Sequence, residues 1–375
     1  MCFKKLFENI IFEIILLTNT VLHFLMNKNQ TPKSLGFRMP AEWEKQEALW
    51  ISWPHNKDTW PEDMIDEVEN SYIQFVKAIH SGQKVKILVN ESLVEKNLYN
   101  KLKQNNINLN QIDFFQINNV DAWIRDYGAT FVINYKTKQK AMVKWIFNAW
   151  GNKYDDLKED NKIPYEMNKK LKLQMFEPNI VLEGGSIEVN GAGTLLTTEQ
   201  CLLNKNRNPN LTKEQIEQYL KDYLKVSNII WLKEGIVGDD TDGHIDDIAR
   251  FVNQNTVVCA FEGDKKDENY EILKENYEML AKMRDEKGNK LNVIKLPMPG
   301  FVGDEERRYP ASYCNFYIGN EAVVVPVFGH ENYKKALNII QKFFPTRKIF
   351  AINSKELVYG FGSFHCLSQQ EPKIL

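Results

Sequence analysis

The chain has no C-x-x-C pair, and its five cysteines (Cys2, Cys201, Cys259, Cys314, Cys366) are odd in number and widely spread. That argues against a zinc-finger spacing or a disulfide framework, so a reducing, cytoplasmic compartment with free thiols is expected. Neither sign of charge is in excess: 48 Lys and Arg face 50 Asp and Glu, a net charge of −2. This leaves no footprint for nucleic acid or for a stable membrane partner. No Pro/Gly/Ser-rich linker or low-complexity tract divides the sequence. A long hydrophobic run occurs once, in residues 1–26, where Lys4 and Lys5 precede I-I-F-E-I-I-L-L-T-N-T-V-L-H-F-L-M. It resembles a signal peptide or anchor, but carries Glu13, Asn19 and His23 and has no small-residue cleavage site. We read 1–26 as an extension preceding a true start at Met26, with export or anchoring as the competing reading.

At 375 residues the chain is long enough for two average domains or one large closed architecture. Hydrophobic content of 43% and charged content of 26% are those of a globular protein. The pattern after the extension repeats. Hairpins are expected at 129–134 with 141–147, at 180–190 with 193–198, at D-I-A-R-F-V with T-V-V-C-A-F across N-Q-N, and at 312–318 with 322–328. The last three are each followed by a helix and a further strand, as at Thr212–Leu224 and 228–232, where Thr212 is a plausible cap. Units of about 60 to 80 residues fit neither a doubly wound parallel sheet nor a plain sandwich. They fit a repeated α/β unit closing on itself around a central site, with 27–375 as one domain.

The densest chemistry is V-G-D-D-T-D-G-H-I-D-D, residues 237–247, where five aspartates surround His244. Such a loop repels itself unless a cation or a set of donors sits among the carboxylates. Three further places matter. L-V-Y-G-F-G-S-F-H-C-L-S-Q-Q-E-P puts Cys366 among glycines and polar donors, where a buried structural thiol is the bland alternative and His365 a weak candidate base. D-A-W-I-R-D-Y-G places Trp123, Arg125 and Asp126 on a loop before a strand. In L-E-G-G-S-I, Glu183 lies in an apolar run and needs a partner, with Arg250 a fair structural one.

Three site chemistries compete. A metal would use Asp240, His244 and Asp246, perhaps with Glu183, but the loop lacks the alternating ligands of a calcium hand and holds one histidine. A Cys–His–Asp protease uses Cys366 and His244 and leaves the other carboxylates idle. A guanidinium substrate uses them all, because carboxylates match its planar edges with paired hydrogen bonds. Cys366 would attack its carbon, His244 would move the proton, and Asp126, Glu183 and Asp246 would hold the cation. A thiolate and a protonated histidine would then coexist, and activity should be bell-shaped in pH.

With M-P-A-E-W-E, W-I-R-D-Y-G, N-A-W-G-N-K-Y, L-E-G-G-S-I, T-D-G-H-I-D-D and F-H-C-L-S-Q-Q-E-P in this order, the chain resembles the agmatine deiminases. These belong to the guanidine-modifying pentein superfamily, which also includes bacterial-type peptidylarginine deiminases. The resemblance covers Gly36 to Pro372. It implies a five-bladed α/β propeller of ββαβ-like units and no metal or organic cofactor. It implies Cys366 as nucleophile, forming an amidino-thioether, with His244 as acid/base. It implies Asp126, Glu183 and Asp246 as guanidinium carboxylates, and Asp246 also counts with the catalytic group. Asp240 falls in the acidic loop with a less defined role, and Trp123 walls the substrate channel. Asp239, Asp242 and Asp247 are read as loop-shaping or solvated. The implied reaction is agmatine to N-carbamoylputrescine and ammonia, on a route to putrescine, with free or peptidyl arginine as the alternative substrate. Amidino transfer or non-catalytic guanidinium binding rank lower, and a homo-oligomer is compatible. Two blocks depart from the family near the substrate path: Y-G-F-G-S-F is less glycine-rich, and Tyr127, Gly128 and Ala129 stand where Thr-Gly-Pro is usual.

Overall fold

The computed structural model describes residues 30–374; the expectation for residues 1–26 lies outside them. Among the described residues no helix is long and apolar enough to cross a membrane.

Five small sheets carry the chain. The first contains β1 (Gln46–Ser52), β2 (Lys84–Val89) and β3 (Ile112–Gln116), all parallel. The next four share one plan: an antiparallel pair, then a helix, then a third strand parallel to the second. They are β4 (Thr130–Asn134), β5 (Gln139–Val143) and β6 (Gln174–Phe176); β7 (Glu188–Val189), β8 (Thr194–Thr198) and β9 (Asn228–Leu232); β10 (Ala249–Asn253), β11 (Thr256–Phe261) and β12 (Asn292–Pro297); and β13 (Tyr317–Ile318), β14 (Ala322–Val327) and β15 (Lys348–Asn353). The last strand, β16 (Ser368–Pro372), returns to pair antiparallel with β1. It plays for the first sheet the part that β4, β7, β10 and β13 play for the others. The end of the chain therefore closes a five-bladed ring, as the repeat implied.

Burial explains the order of strands within a blade. The second strands β8, β11 and β14 are wholly or almost wholly buried (T-L-L-T-T, T-V-V-C-A-F, A-V-V-V-P-V), as parallel-sheet interiors require, while β5 is buried over its last three residues. The third strands β12 and β15 are partly exposed, and first strands of neighbouring blades touch near the axis, β16 with β4 and β7 with β10. The crossover helices cover the outer sheets with one apolar stripe each. The helix Lys213–Leu224 starts from a capping box: the Thr212 hydroxyl accepts from the Gln215 amide and the Gln215 side chain accepts from the Thr212 amide.

Two expected strands are much shorter. Of 180–190 only Glu188–Val189 is extended, and of 312–318 only Tyr317–Ile318. The rest of each segment is buried loop just ahead of a first strand. Apolar side chains there pack into the ring, with a single parallel bridge from Val181 to Ile146 as the only ladder contact of 180–187, so composition alone reads them as strand.

Candidate active site

The same place in every blade, the approach to its first strand, delivers a polar side chain to one point near the axis. Asp126 sits on the helical turn Ile124–Tyr127 before β4. Glu183 precedes the turn Gly184–Ser186 before β7. His244 and Asp246 flank Ile245 before β10. Asn315 precedes β13, and Cys366 precedes β16. Asp126, Glu183, His244, Asp246, Asn315 and Cys366 are all at most 6% exposed.

The thiol of Cys366 accepts from Asn315 Nδ2 at 3.0 Å and lies 3.6 Å from Asp246 Oδ2. Asn315 Oδ1 takes the amides of His365 (3.0 Å) and Cys366 (3.3 Å), so one side chain fixes both the sulfur and its backbone. Gly362 is required beside them: a Cβ there would overlap the Trp123 ring and press on Cys366 Cβ. Gly185 is likewise boxed in by His244 and Asp126.

Asp126 has both oxygens engaged, Oδ2 by Trp150 Nε1 and Oδ1 by the Gly185 amide, each at 2.9 Å. Its Oδ1 also lies 3.8 Å from His244 Nδ1. Glu183 Oε1 takes Arg207 Nε at 2.7 Å. Its Oε2, Asp246 Oδ1 and both ring nitrogens of His244 are buried with no protein partner. Arg207, from the loop after β8, corrects the pairing of Glu183 with Arg250: Arg250 bonds Glu188 and Glu42 instead.

Electrostatics follow the burial. Loss of water, then the carboxylates of Asp246, Asp247 and Asp126, push the Cys366 thiol well above its ordinary range. Burial alone would pull His244 down, but Asp126, then Cys201 and Asp246, outweigh it and hold the imidazole well above its ordinary range. Burial raises Asp126. Asp246 is held low, against its own burial, by His365, then His244 and Arg250. Both shifts favour a protonated thiol and a charged imidazole in this environment.

The acidic loop proves to be mostly self-satisfied. Asp239 accepts the amides of Thr241, Gly243 and His244. Asp242 takes Arg207 Nη1 and Asn206 Nδ2. Both match the loop-shaping expectation. Asp247 does not, being neither solvated nor at the surface. It is 3% exposed, burial and then Asp246 raise its carboxyl well above the usual range, and Oδ1 accepts Asn315 Nδ2 at 3.0 Å. Asp240 is about one-third exposed at the pocket wall, where Tyr154 Oη donates to it at 2.6 Å and Lys153 lies 3.3 Å away. Ligand atoms of Glu183, Cys201 and His244 lie within 4.8 Å of one another, as do those of Asp246, Asp247 and Cys366. The guanidinium of Arg207 already stands against the first set, a poor neighbour for a metal ion.

A cavity of about 490 Å³ opens over Cys366. Trp123 and Trp150 wall it, with Asp126 and Asp240, and seven of its lining residues are acidic against one basic, Arg307. His365 faces the other way: Nδ1 lies 2.6 Å from Asp246 Oδ2 and Nε2 2.8 Å from Glu42 Oε2, so no ring nitrogen is left to act as base. Sequence reasoning missed Asn315, Arg207, Trp150 and Glu42. Asn315 had a signal, its repeat position ahead of a first strand; Arg207 stood in the family-like L-N-K-N-R-N-P.

Fold and site together define a guanidine-modifying enzyme of the five-bladed α/β propeller type. Residues 38–372 match the family model for Porphyromonas-type peptidyl-arginine deiminase, and the chain belongs to that family. It is 42% identical over 349 residues to a Legionella pneumophila protein provisionally named agmatine deiminase, covering 93% of this chain and 98% of that one. An agmatine deiminase of Enterococcus faecalis, described as catalysing its reaction, superposes with a TM-score of 0.84 at 36% identity, over 92% of this chain and 99% of the other. A C. jejuni agmatine deiminase with a Cys-to-Ser change and bound substrate gives 0.81 at 34% identity, over 90% and 97%.

Proposed function

We propose that the chain hydrolyses the guanidinium group of agmatine to N-carbamoylputrescine and ammonia. The observation that carries the reading is the cluster of unpartnered buried atoms beside Cys366: Glu183 Oε2, Asp246 Oδ1 and the two nitrogens of His244. Two free carboxylate oxygens at less than 1% exposure suit a planar cation that brings N–H donors on two edges.

The substrate's charge does more than bind. It offsets the carboxylates that keep the Cys366 thiol protonated, so the thiol releases its proton to solvent as the cation binds and the thiolate forms. Cys366 Sγ then bonds the guanidinium carbon. The C–N bond to the terminal nitrogen breaks as His244 gives that nitrogen a proton, and ammonia leaves an amidino-thioether. His244 next takes a proton from water, the hydroxide adds to the same carbon, the C–S bond breaks to restore the thiolate, and the added hydroxyl releases its proton to solvent to leave the ureido product. Asp126, Glu183 and Asp246 hold the cation throughout, Trp123 walls the channel, and Asp240 lies where the distal ammonium of agmatine would emerge.

The relatives' names support agmatine over arginine, and so does the acidic wall, which suits a dication and repels a carboxylate. Arg307 is the observation favouring the second reading, since it is the one cation on the wall able to meet the carboxylate of arginine. The test is ammonia release from agmatine, arginine, a carboxy-terminal arginyl peptide and an internal arginyl peptide, with Cys366→Ser as control. Agmatine should lead the panel and the variant should fold and be silent. Undiminished turnover by Cys366→Ser sinks the mechanism.

A further inference from the structure

Below the pocket floor the blades meet in a second charge cluster that the reaction does not touch. Arg250 bonds Glu42 Oε2 (2.9 Å), Glu188 Oε2 (3.0 Å) and the carbonyls of Cys314 and Phe316. Arg125 bonds the His365 carbonyl and Gln370 Oε1. Glu42 Oε1 takes the Ile318 amide and Glu188 Oε1 the Phe251 amide. Every blade supplies a member, and His365 alone reaches from this hub to a residue at the substrate.

We propose that His365 is a positioning residue for the deiminase reaction: its imidazolium bridges Asp246 and Glu42 and turns Asp246 so that one carboxylate oxygen stays free for the guanidinium. Both ring nitrogens face carboxylate oxygens, at 2.6 and 2.8 Å. Each contact is a hydrogen bond only if both nitrogens carry protons. The charges agree: Glu42, Glu188 and Asp246 outnumber Arg125 and Arg250, and an imidazolium balances a cluster sealed from water. The bond to Oδ2 leaves Oδ1 as the unpartnered oxygen. Without the bridge the carboxylate of Asp246 is free to rotate toward Cys366 Sγ, already 3.6 Å away. The backbone of His365 is pinned independently by Asn315 and Arg125, so a substitution removes the bridge and leaves the chain path in place.

This inference rests on the deiminase reading, and two amide replacements separate it from a purely structural role. In His365→Asn the side-chain NH₂ falls near the position of Nδ1 and keeps a donor to Asp246. In His365→Gln it falls near Nε2 and keeps only the contact with Glu42. Positioning predicts that kcat/KM for agmatine stays within about tenfold of wild type in the Asn variant. It falls about 100-fold in the Gln variant, the scale of a misplaced substrate group. Equal losses, or Gln outperforming Asn, overturn the proposal in favour of a hub role. Wild-type ammonia release, measured first, reports on the deiminase reading by itself. If a variant does not fold or wild type is silent, nitrogen NMR of histidine-labelled wild-type protein decides. Protons on both His365 nitrogens support the bridge, and a single N–H tautomer overturns it.

Discussion

At the hub, Arg250 has four acceptors and Glu42 and Glu188 have a donor on each oxygen; only Arg125 Nη2, 3.7 Å from Glu42, falls short of a bond. Around Cys366 and Asp126, the same kinds of group are equally buried, yet Glu183 Oε2, Asp246 Oδ1 and both nitrogens of His244 have no partner. A buried polar group without a partner costs on the order of 1–3 kcal/mol. A fold carries such a cost where another molecule supplies the missing partners. Charges at the hub are paired within the protein, and those around Cys366 and Asp126 are left open to the proposed substrate.

The strongest way to break that comparison is Asp246→Asn. The variant should lose about 10³-fold in kcat/KM for agmatine, the cost of removing one preorganised electrostatic contact. Because the Asp246 charge also holds the Cys366 thiol up, its removal lowers the thiol toward neutrality and enlarges the reactive thiolate fraction. A neutral alkylating agent should then label Cys366 about tenfold faster at pH 7. Loss of turnover together with slower labelling contradicts the assignment.

On the architectural side, Glu371 of the closing strand takes Lys86 Nζ and Trp50 Nε1, each at 2.7 Å, and Lys140. Glu371→Gln leaves buried Lys86 without a carboxylate and Lys140 with Glu47 alone, and should cost about 3 kcal/mol in denaturant unfolding while kcat stays near wild type. Burial opposes, but Lys140 and Lys86 hold this carboxyl below the usual glutamate range. Its contribution is therefore complete above the unfolded value of about 4.3 and is lost as pH falls through the lower folded value. Wild type should lose more stability across that acid window than the variant; parallel curves would remove Glu371 as a clasp.

Asp240→Asn should have a smaller effect, raising KM for agmatine about fivefold with kcat little changed, because the carboxylate is part-exposed and partly neutralised by Lys153. An unchanged KM would take Asp240 out of the substrate path. Smallest is Thr212→Ala, which removes a helix cap far from both regions and should cost about 1 kcal/mol with activity intact.

Much of this was legible. The helix over Lys213–Leu224 and strands β4, β8, β9, β10, β11 and β14 lie within a residue or two of their expected places, because alternation and caps are local signals. Asp126, Glu183, His244, Asp246 and Cys366, singled out for guanidinium chemistry, all lie just ahead of first strands. The segments 180–187 and 312–316 were misread because apolar loop and apolar strand have the same composition when both are buried, and Asn315 was lost inside one of them. Arg207 for Glu183 and Glu42 for Arg250 join residues 24 and 208 positions apart, and no local pattern selects between such partners.

The residue order thus determined the repeated unit, the reactive groups and the excess of carboxylates near His244. Only the tertiary structure decided which of those carboxylates are spent on protein donors and which are left open. Asp239, Asp242 and Asp247 are engaged by the protein, while Glu183 and Asp246 each keep one oxygen without a partner. The reason is physical. Charge is a property of the side chain, but satisfaction of that charge depends on donors brought from other blades when the last strand closes the ring.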